Sequence, residues 1–198
     1  MKTILTILAL FLSACTTTLP PVQEYRVAPK LDLVQTQESS ICKDKSLKVS
    51  QVFGNSFLKS TDMHYVIGEY KELSFTESAW SDSLAKLLTS EILTTLREAG
   101  IYHNVESYRS RSDADYVLES SINDFMQYFD KDAKKSYVVV DITMSLVDVK
   151  SSKVIATKRF YKRVEAKDVN AKEGVVALNS AFKDVLQQSV VWLKSSCK

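Results

Sequence analysis

The chain has 198 residues, with 26 Lys and Arg against 24 Asp and Glu, for a formal net charge of +2. So near a balance, with no long Lys/Arg run, argues against a nucleic-acid binder. Three cysteines, two histidines and four glycines leave little material for a metal centre, thiol chemistry or a Gly-rich phosphate loop.

In chain order, Met1-Lys2-Thr3 gives a short positive start, and Ile4 to Leu12 is apolar apart from Thr6. A helix crossing a bilayer takes about 20 apolar residues, so this run fits the apolar core of a secretory signal instead. It ends in Leu12-Ser13-Ala14-Cys15, which resembles the bacterial lipobox. Residues 1–14 therefore read as a lipoprotein signal peptide, and Cys15 as a mature N-terminus carrying acyl chains, palmitate among them. A single chain anchors only weakly, and the triacyl modification implied by the lipobox makes the attachment effectively permanent. Thr16 follows, where aspartate would signal retention in the inner membrane. The expected location is thus the cell envelope, on the periplasmic side of the outer membrane. With Cys15 acylated, Cys42 and Cys197 remain in an oxidising compartment and are expected to form a disulfide, two free thiols being the alternative.

Residues 15–45 read as a lipidated N-terminus and tether, with Pro20-Pro21 favouring an extended path and Tyr25-Arg26-Val27 as a short first strand. Leu31 to Ser40 has no period and reads as loop. A single domain is expected over 46–198. Leu47 to Val52 alternates weakly and is broken at Gly54-Asn55-Ser56. His64–Ile67 and Tyr70–Phe75 form two strands around a Gly68-Glu69 turn. A helix follows over Ser81–Ala99, with Ser78 or Ser81 as its cap and Asp82 at its positive end. Its apolar stripe is Leu84, Leu87, Leu88, Ile92, Leu96 and Ala99, and Gly100 supplies the stop.

A short strand is expected over Tyr102–Tyr108. Tyr116–Phe129 alternates through Tyr116, Leu118, Ile122, Met126 and Tyr128; Tyr137–Val149 through Val138, Val140, Ile142, Met144 and Leu146. Lys153–Val164 pairs with the latter across Lys150-Ser151-Ser152, and the pattern predicts antiparallel neighbours with one buried face. A second helix spans Ala171–Ser195. The expected fold is α+β: a two-layer sandwich, mostly antiparallel sheet with two amphipathic helices packed on one face.

Reactive groups are sparse. His64 and His103 stand far apart, outside any metal-ligand spacing. Asp113 and Asp115 read as a solvated turn, and Asp130-Lys131-Asp132 as a hairpin loop. No catalytic residue, metal site or cofactor is assigned beyond the covalent lipid on Cys15, and no enzyme is expected. Tyr65, Tyr70, Phe75 and Trp80 cluster before the first helix, while Phe125, Tyr128 and Phe129 crowd one strand end. Both sets read either as a contact surface for a partner or lipid or as core packing between sheet and helix.

The order of these motifs resembles the ABC-type transport auxiliary lipoprotein family. The resemblance is carried by the lipobox, Tyr25-Arg26-Val27, the Tyr65–Tyr70 strand pair and Trp80 at the entrance to a leucine-rich helix. It continues through Leu96, Gly100-Ile101, Val105, Asp115-Tyr116-Val117-Leu118 and the C-terminal helix. Ser81-Asp82-Ser83 departs from the proline-containing turn more usual after the tryptophan. What the resemblance implies is a non-catalytic component of an MCE-associated lipid transport system. Its partners would be the membrane, an MCE-domain protein with its ABC permease and ATPase, and lipid. A regulator of cell-wall synthesis, or a lipoprotein assembling an envelope machine, is the alternative, since one fold hosts many functions.

Overall fold

A computed structural model describes residues 20–31 and 41–197; the expected signal peptide over 1–14, Cys15 and most of the stretch read as a loop over Leu31–Ser40 lie outside the described residues. In chain order the elements are β1 (Gln23–Tyr25), β2 (Ser46–Val49), β3 (Phe53–Gly54), a 3-10 turn (Ser56–Lys59), β4 (Asp62–Ile67), β5 (Lys71–Trp80) and α1 (Leu84–Ala99). There follow β6 (Asn104–Ser107), β7 (Tyr116–Phe129), β8 (Ser136–Asp148), β9 (Lys153–Glu165) and α2 (Ala171–Lys194).

The nine strands form one mixed sheet around β7. Along one edge β7 pairs antiparallel with β8 over its whole length, and β8 pairs in the same sense with β9. Along the other edge β2, β3 and β4 lie in succession, each parallel to β7. β6 extends β2, while β5 and then β1 extend β4. The long ladders are antiparallel, as the alternation predicts; the parallel pairs come from short strands whose partners are distant in sequence.

Both helices cover the same face, giving the expected α+β sandwich. Leu84, Leu88, Ile92 and Leu96 of α1 are fully buried together with Leu47, Val49 and Leu118. Leu178, Phe182, Val185, Leu186 and Leu193 of α2 join Val138, Val140, Ile142, Met144, Leu146 and Phe160 in the same core. Burying each such side chain contributes about 1.5–3 kcal/mol relative to exposure. Edge-on ring contacts link the layers, with Trp80–Phe125 centroids 6.1 Å apart and Phe125–Phe182 5.8 Å apart.

The helix ends differ in part from expectation. Ser78 lies in β5, and Ser83 rather than Ser81 occupies the cap position of α1, without a side-chain cap bond. Asp82 instead accepts the Ser83 N–H and pairs with Lys86 one turn on. Gly100 closes α1 in the left-handed conformation at φ 62°. At the start of α2, the Asn170 side chain accepts the Glu173 N–H at 2.9 Å.

β7 departs from strict alternation. An irregularity between Ile122 and Asp124 inserts Asn123 as an extra residue opposite β8. A one-residue bulge inverts which side chains face the core. Before it, Tyr116, Leu118, Ser120 and Ile122 are buried; after it, Phe125, Gln127 and Phe129 take the helix side. Met126 and Tyr128, expected inward by continued alternation, therefore face the opposite side.

Gln127 shows what the inversion positions. Its amide donates to Ser136 Oγ at 2.9 Å and to the Asn170 carbonyl at 3.2 Å. Its Oε1 lies where a Cβ on Gly174 would sit, at 1.9 Å. That approach explains a glycine inside α2, where alanine would be favoured by about 1 kcal/mol. Gly174→Ala is expected to lower stability despite its better helix propensity, and adding Gln127→Ala should recover part of the loss; urea unfolding of the parent, the single and the double variant measures this.

Cys42, just before β2, bonds Cys197, just after α2, across 155 residues of chain. In the chain-entropy account, a loop this long is worth about 5 kcal/mol, less where the unfolded chain keeps structure. Cys42→Ser with Cys197→Ser is expected to lower Tm by roughly 5–15 °C, read by calorimetry with and without reductant.

Candidate functional site

The N-terminal segment belongs to the folded body. β1 pairs with β5 in the register Gln23↔Ser78 to Tyr25↔Trp80, and the Ser81 N–H donates to the Tyr25 carbonyl at 2.8 Å. Val27 is buried, and Asn179 of α2 accepts the Ala28 N–H at 2.7 Å. The first strand thus sits two residues earlier than the Tyr25–Val27 reading, and the body begins at Gln23 rather than near Ser46. Polar and short, Gln23-Glu24-Tyr25 gives no alternation from which this docking can be read.

Beside β1 opens a cleft of about 500 Å3 between β5 and the start of α2. Phe75 and Ser78 form one wall, Tyr25 and Gln23 another, and Val169 to Lys172 the third. Phe75 also belongs to a ring cluster. Its centroid lies 4.4 Å from that of Tyr65, and Tyr65 meets Phe129 edge-on at 5.3 Å. Tyr65 pairs in register with Gln127, so the cluster occupies the helix side of the sheet beside the start of α2.

The four aromatic residues singled out from the sequence therefore separate. Tyr65 and Phe75 touch. Trp80 is 4 % exposed and packs on Phe125, within the core. Tyr70 is 91 % exposed at the β4–β5 turn. Phe129 completes the cluster, and only the β7 bulge brings it to that face. Val169 and Ala171 come from the loop and first turn of α2, distant in sequence from the aromatic run.

The opposite face of the sheet is polar and connected. The Arg163 guanidinium lies 3.6 Å from the Tyr137 ring centroid, and Tyr137 stacks on Tyr128 at 5.2 Å. The Tyr128 hydroxyl donates to Asp124. Asn123, the bulge residue, donates to Asp141 at 3.1 Å and to Thr143 at 3.0 Å, while Arg159 grips Asp141 through two nitrogens. The Arg159 hydrogen bond holds the Asp141 carboxyl below the usual range. Burial raises Asp124 to about 6, against the lowering effect of the Tyr128 hydroxyl and with the Asp141 charge adding to the rise. His64 Nδ1 meets Glu72 at 3.0 Å, and His103 is exposed. Among the described residues no group of three or more His, Cys, Asp or Glu is placed to hold a metal.

The signs of these shifts differ. Asp141 stabilises the fold above the ordinary aspartate pKa, and its contribution fades as pH falls. Asp124, with its pKa raised, stabilises the fold only at low pH, and its contribution is lost as pH climbs from about 4 through about 6. Asp124→Asn is expected to be more stable than the parent at pH 7.5, by up to about 3 kcal/mol, with the advantage vanishing near pH 4. Paired urea titrations across that range check it.

The described residues include no helix long and apolar enough to cross a membrane. No curated protein matches the sequence. The fold is similar to that of protein XCC0632 from Xanthomonas campestris, at TM-score 0.74 and 14% identity, covering 86% of this chain and 94% of that one. It is similar also to an uncharacterized protein at TM-score 0.66 and 13% identity, covering 87% and 99%. The family model of the ABC-type transport auxiliary lipoprotein component matches residues 30–189. Taken with the lipobox and the two-layer fold, that match shows that the chain belongs to the ABC-type transport auxiliary lipoprotein family.

Proposed function

We propose that the protein is a non-catalytic accessory component of an ABC-type lipid transport system, lipid-anchored through Cys15 to the periplasmic side of the outer membrane. In this reading it docks on an MCE-domain protein served by an ABC permease and ATPase. The family membership carries the reading, and the cleft beside β1 supports it. Gln23 lies eight positions after Cys15, so the anchor reaches at most about 28 Å at 3.3–3.6 Å per residue. A tether running to Ser46 would have reached about 100 Å. In this reading the short span from Cys15 to the docked β1 limits how far the Phe75–Tyr65–Phe129 cluster and the cleft can stand from the bilayer surface. There, an aromatic-lined opening suits the apolar side chains of a partner.

The exposed cleft residue Val169 offers a test that leaves the core untouched. Affinity capture of the membrane-anchored protein is expected to recover an MCE-domain protein, and Val169→Glu to reduce that recovery without changing Tm. Cys15→Ala should leave the domain folded and release it from the membrane fraction. Repeated recovery of peptidoglycan synthases alone would overturn the transport reading in favour of a cell-wall regulator. A Cys15→Ala protein still wholly membrane-bound would remove the anchor.

A further inference from the structure

A second cleft, of about 230 Å3, opens between α1 and the segment that follows β6. Lys86, Ser90 and Leu93 stand at helical spacing along its α1 wall, Ser107, Tyr108 and Arg109 form the facing wall, and Gln51 closes one side. Among the described residues no carboxylate lines it.

The facing wall is braced. The Tyr108 N–H donates to the Val49 carbonyl at 2.9 Å, and the Ser110 N–H to the Ser107 carbonyl at 2.9 Å. Lys48 Nζ donates to the carbonyls of Ser110 and Ser112 at 3.3 and 2.6 Å. On this support Arg109 is oriented by its neighbour: its Nε donates to the Tyr108 hydroxyl at 3.0 Å, and its guanidinium lies 5.4 Å from the Tyr108 ring centroid. Its two terminal nitrogens make no hydrogen bond among the described residues, and neither Arg109 nor Arg111 has an ion-pair partner there. The Tyr108 hydroxyl, having accepted from Arg109, keeps its proton to donate. Lys86 is already paired with Asp82 at 3.0 Å, so the cleft presents close to one uncompensated positive charge.

We infer that this cleft binds a phosphodiester group. A guanidinium with both terminal nitrogens free matches two phosphate oxygens at once. The Tyr108 and Ser90 hydroxyls and the Gln51 amide supply further donors. One net positive charge suits the single negative charge of a diester, and the half-buried Leu93 offers an apolar contact to whatever the phosphate is esterified with. A phospholipid head group and free phosphate share the anionic chemistry, and the ester-side contact favours the lipid. The inference uses no residue of the cleft beside β1 and stands whether or not the protein docks on an MCE-domain partner.

The test uses the mature chain with Cys15→Ala, so that no anchor lipid contributes. It is titrated with monomeric dihexanoylphosphatidylglycerol and, separately, with inorganic phosphate, followed by amide chemical shifts. Saturable lipid binding is expected, with shifts centred on Ser107–Arg109 and the Lys86–Leu93 face. Arg109→Gln should weaken it by about tenfold or more, while Arg163→Gln on the polar sheet face leaves it unchanged. Because Arg109 is exposed, Arg109→Gln should melt like the parent. Inorganic phosphate binding as tightly, with the same dependence on Arg109, would uphold phosphate recognition and overturn the lipid as its source. Absence of saturable binding in both arms, or an Arg109→Gln protein that titrates like the parent, would overturn the site.

Discussion

One extra residue in one strand governs the arrangement of this domain. Among the described residues β7 is the only strand that meets both halves of the sheet, and Asn123 adds a bulge near its middle. A strand of this length has a side-chain period of two, so a single insertion exchanges its faces from that point on. The first half delivers Leu118 and Ile122 to the core. The second half delivers Phe125 to the Trp80–Phe182 contact, Gln127 to the groove under Gly174, and Phe129 to the ring cluster. Without the inversion, Met126 and Tyr128 would meet α2, and the Tyr128–Tyr137–Arg163 stack would have no place on the outer face.

The bulge residue is itself used. The Asn123 side chain points to the outer face and bonds Asp141 and Thr143 of β8, so the extra residue is fastened to the neighbouring strand. Arg159 then completes Asp141 from β9. Three strands are thereby joined on the polar side by one carboxylate, while on the apolar side the same strands are joined by packing. Asp124 next to the bulge bears the cost: it is drawn partly out of water, and the Tyr128 hydroxyl and the Phe125 N–H compensate only in part.

Much of this was legible in the sequence. The two helices, the β7–β8–β9 meander and the one-sided packing follow from strong periodicities, and Tyr116–Phe129 is read to the residue. The cysteine pair follows from compartment and count. What escaped has physical causes. The bulge is invisible to a pattern reading because Met126 and Phe125 are both apolar, so either parity looks plausible. β1 is too short and polar to carry a period, and its place is set by pairing with Ser78–Trp80, some fifty residues on. The aromatic run before α1 divides because Trp80 sits beyond the β5 irregularity, past a register shift against β4. The candidate cleft needs Val169 and Ala171 from the far end of the chain, which only the fold brings to Phe75.

The same geometry gives the N-terminus a meaning beyond attachment. A flexible leash of thirty residues would let the domain turn freely under its anchor. β1 shortens that leash, since its ladder with β5 and the Asn179 contacts to Arg26 and Ala28 fix where the chain enters the body. The β9 edge, on the far side of β7 and β8 from the β1–β5 edge, carries Lys158, Arg159, Lys162 and Arg163. Those charges also discourage another strand from adding to the free side of β9. The two ends of the sheet thus differ in kind: one carries the ordered N-terminal strand and the aromatic cleft, the other a row of cationic side chains, of which Arg159 is held by Asp141 and Lys162 by Asp184.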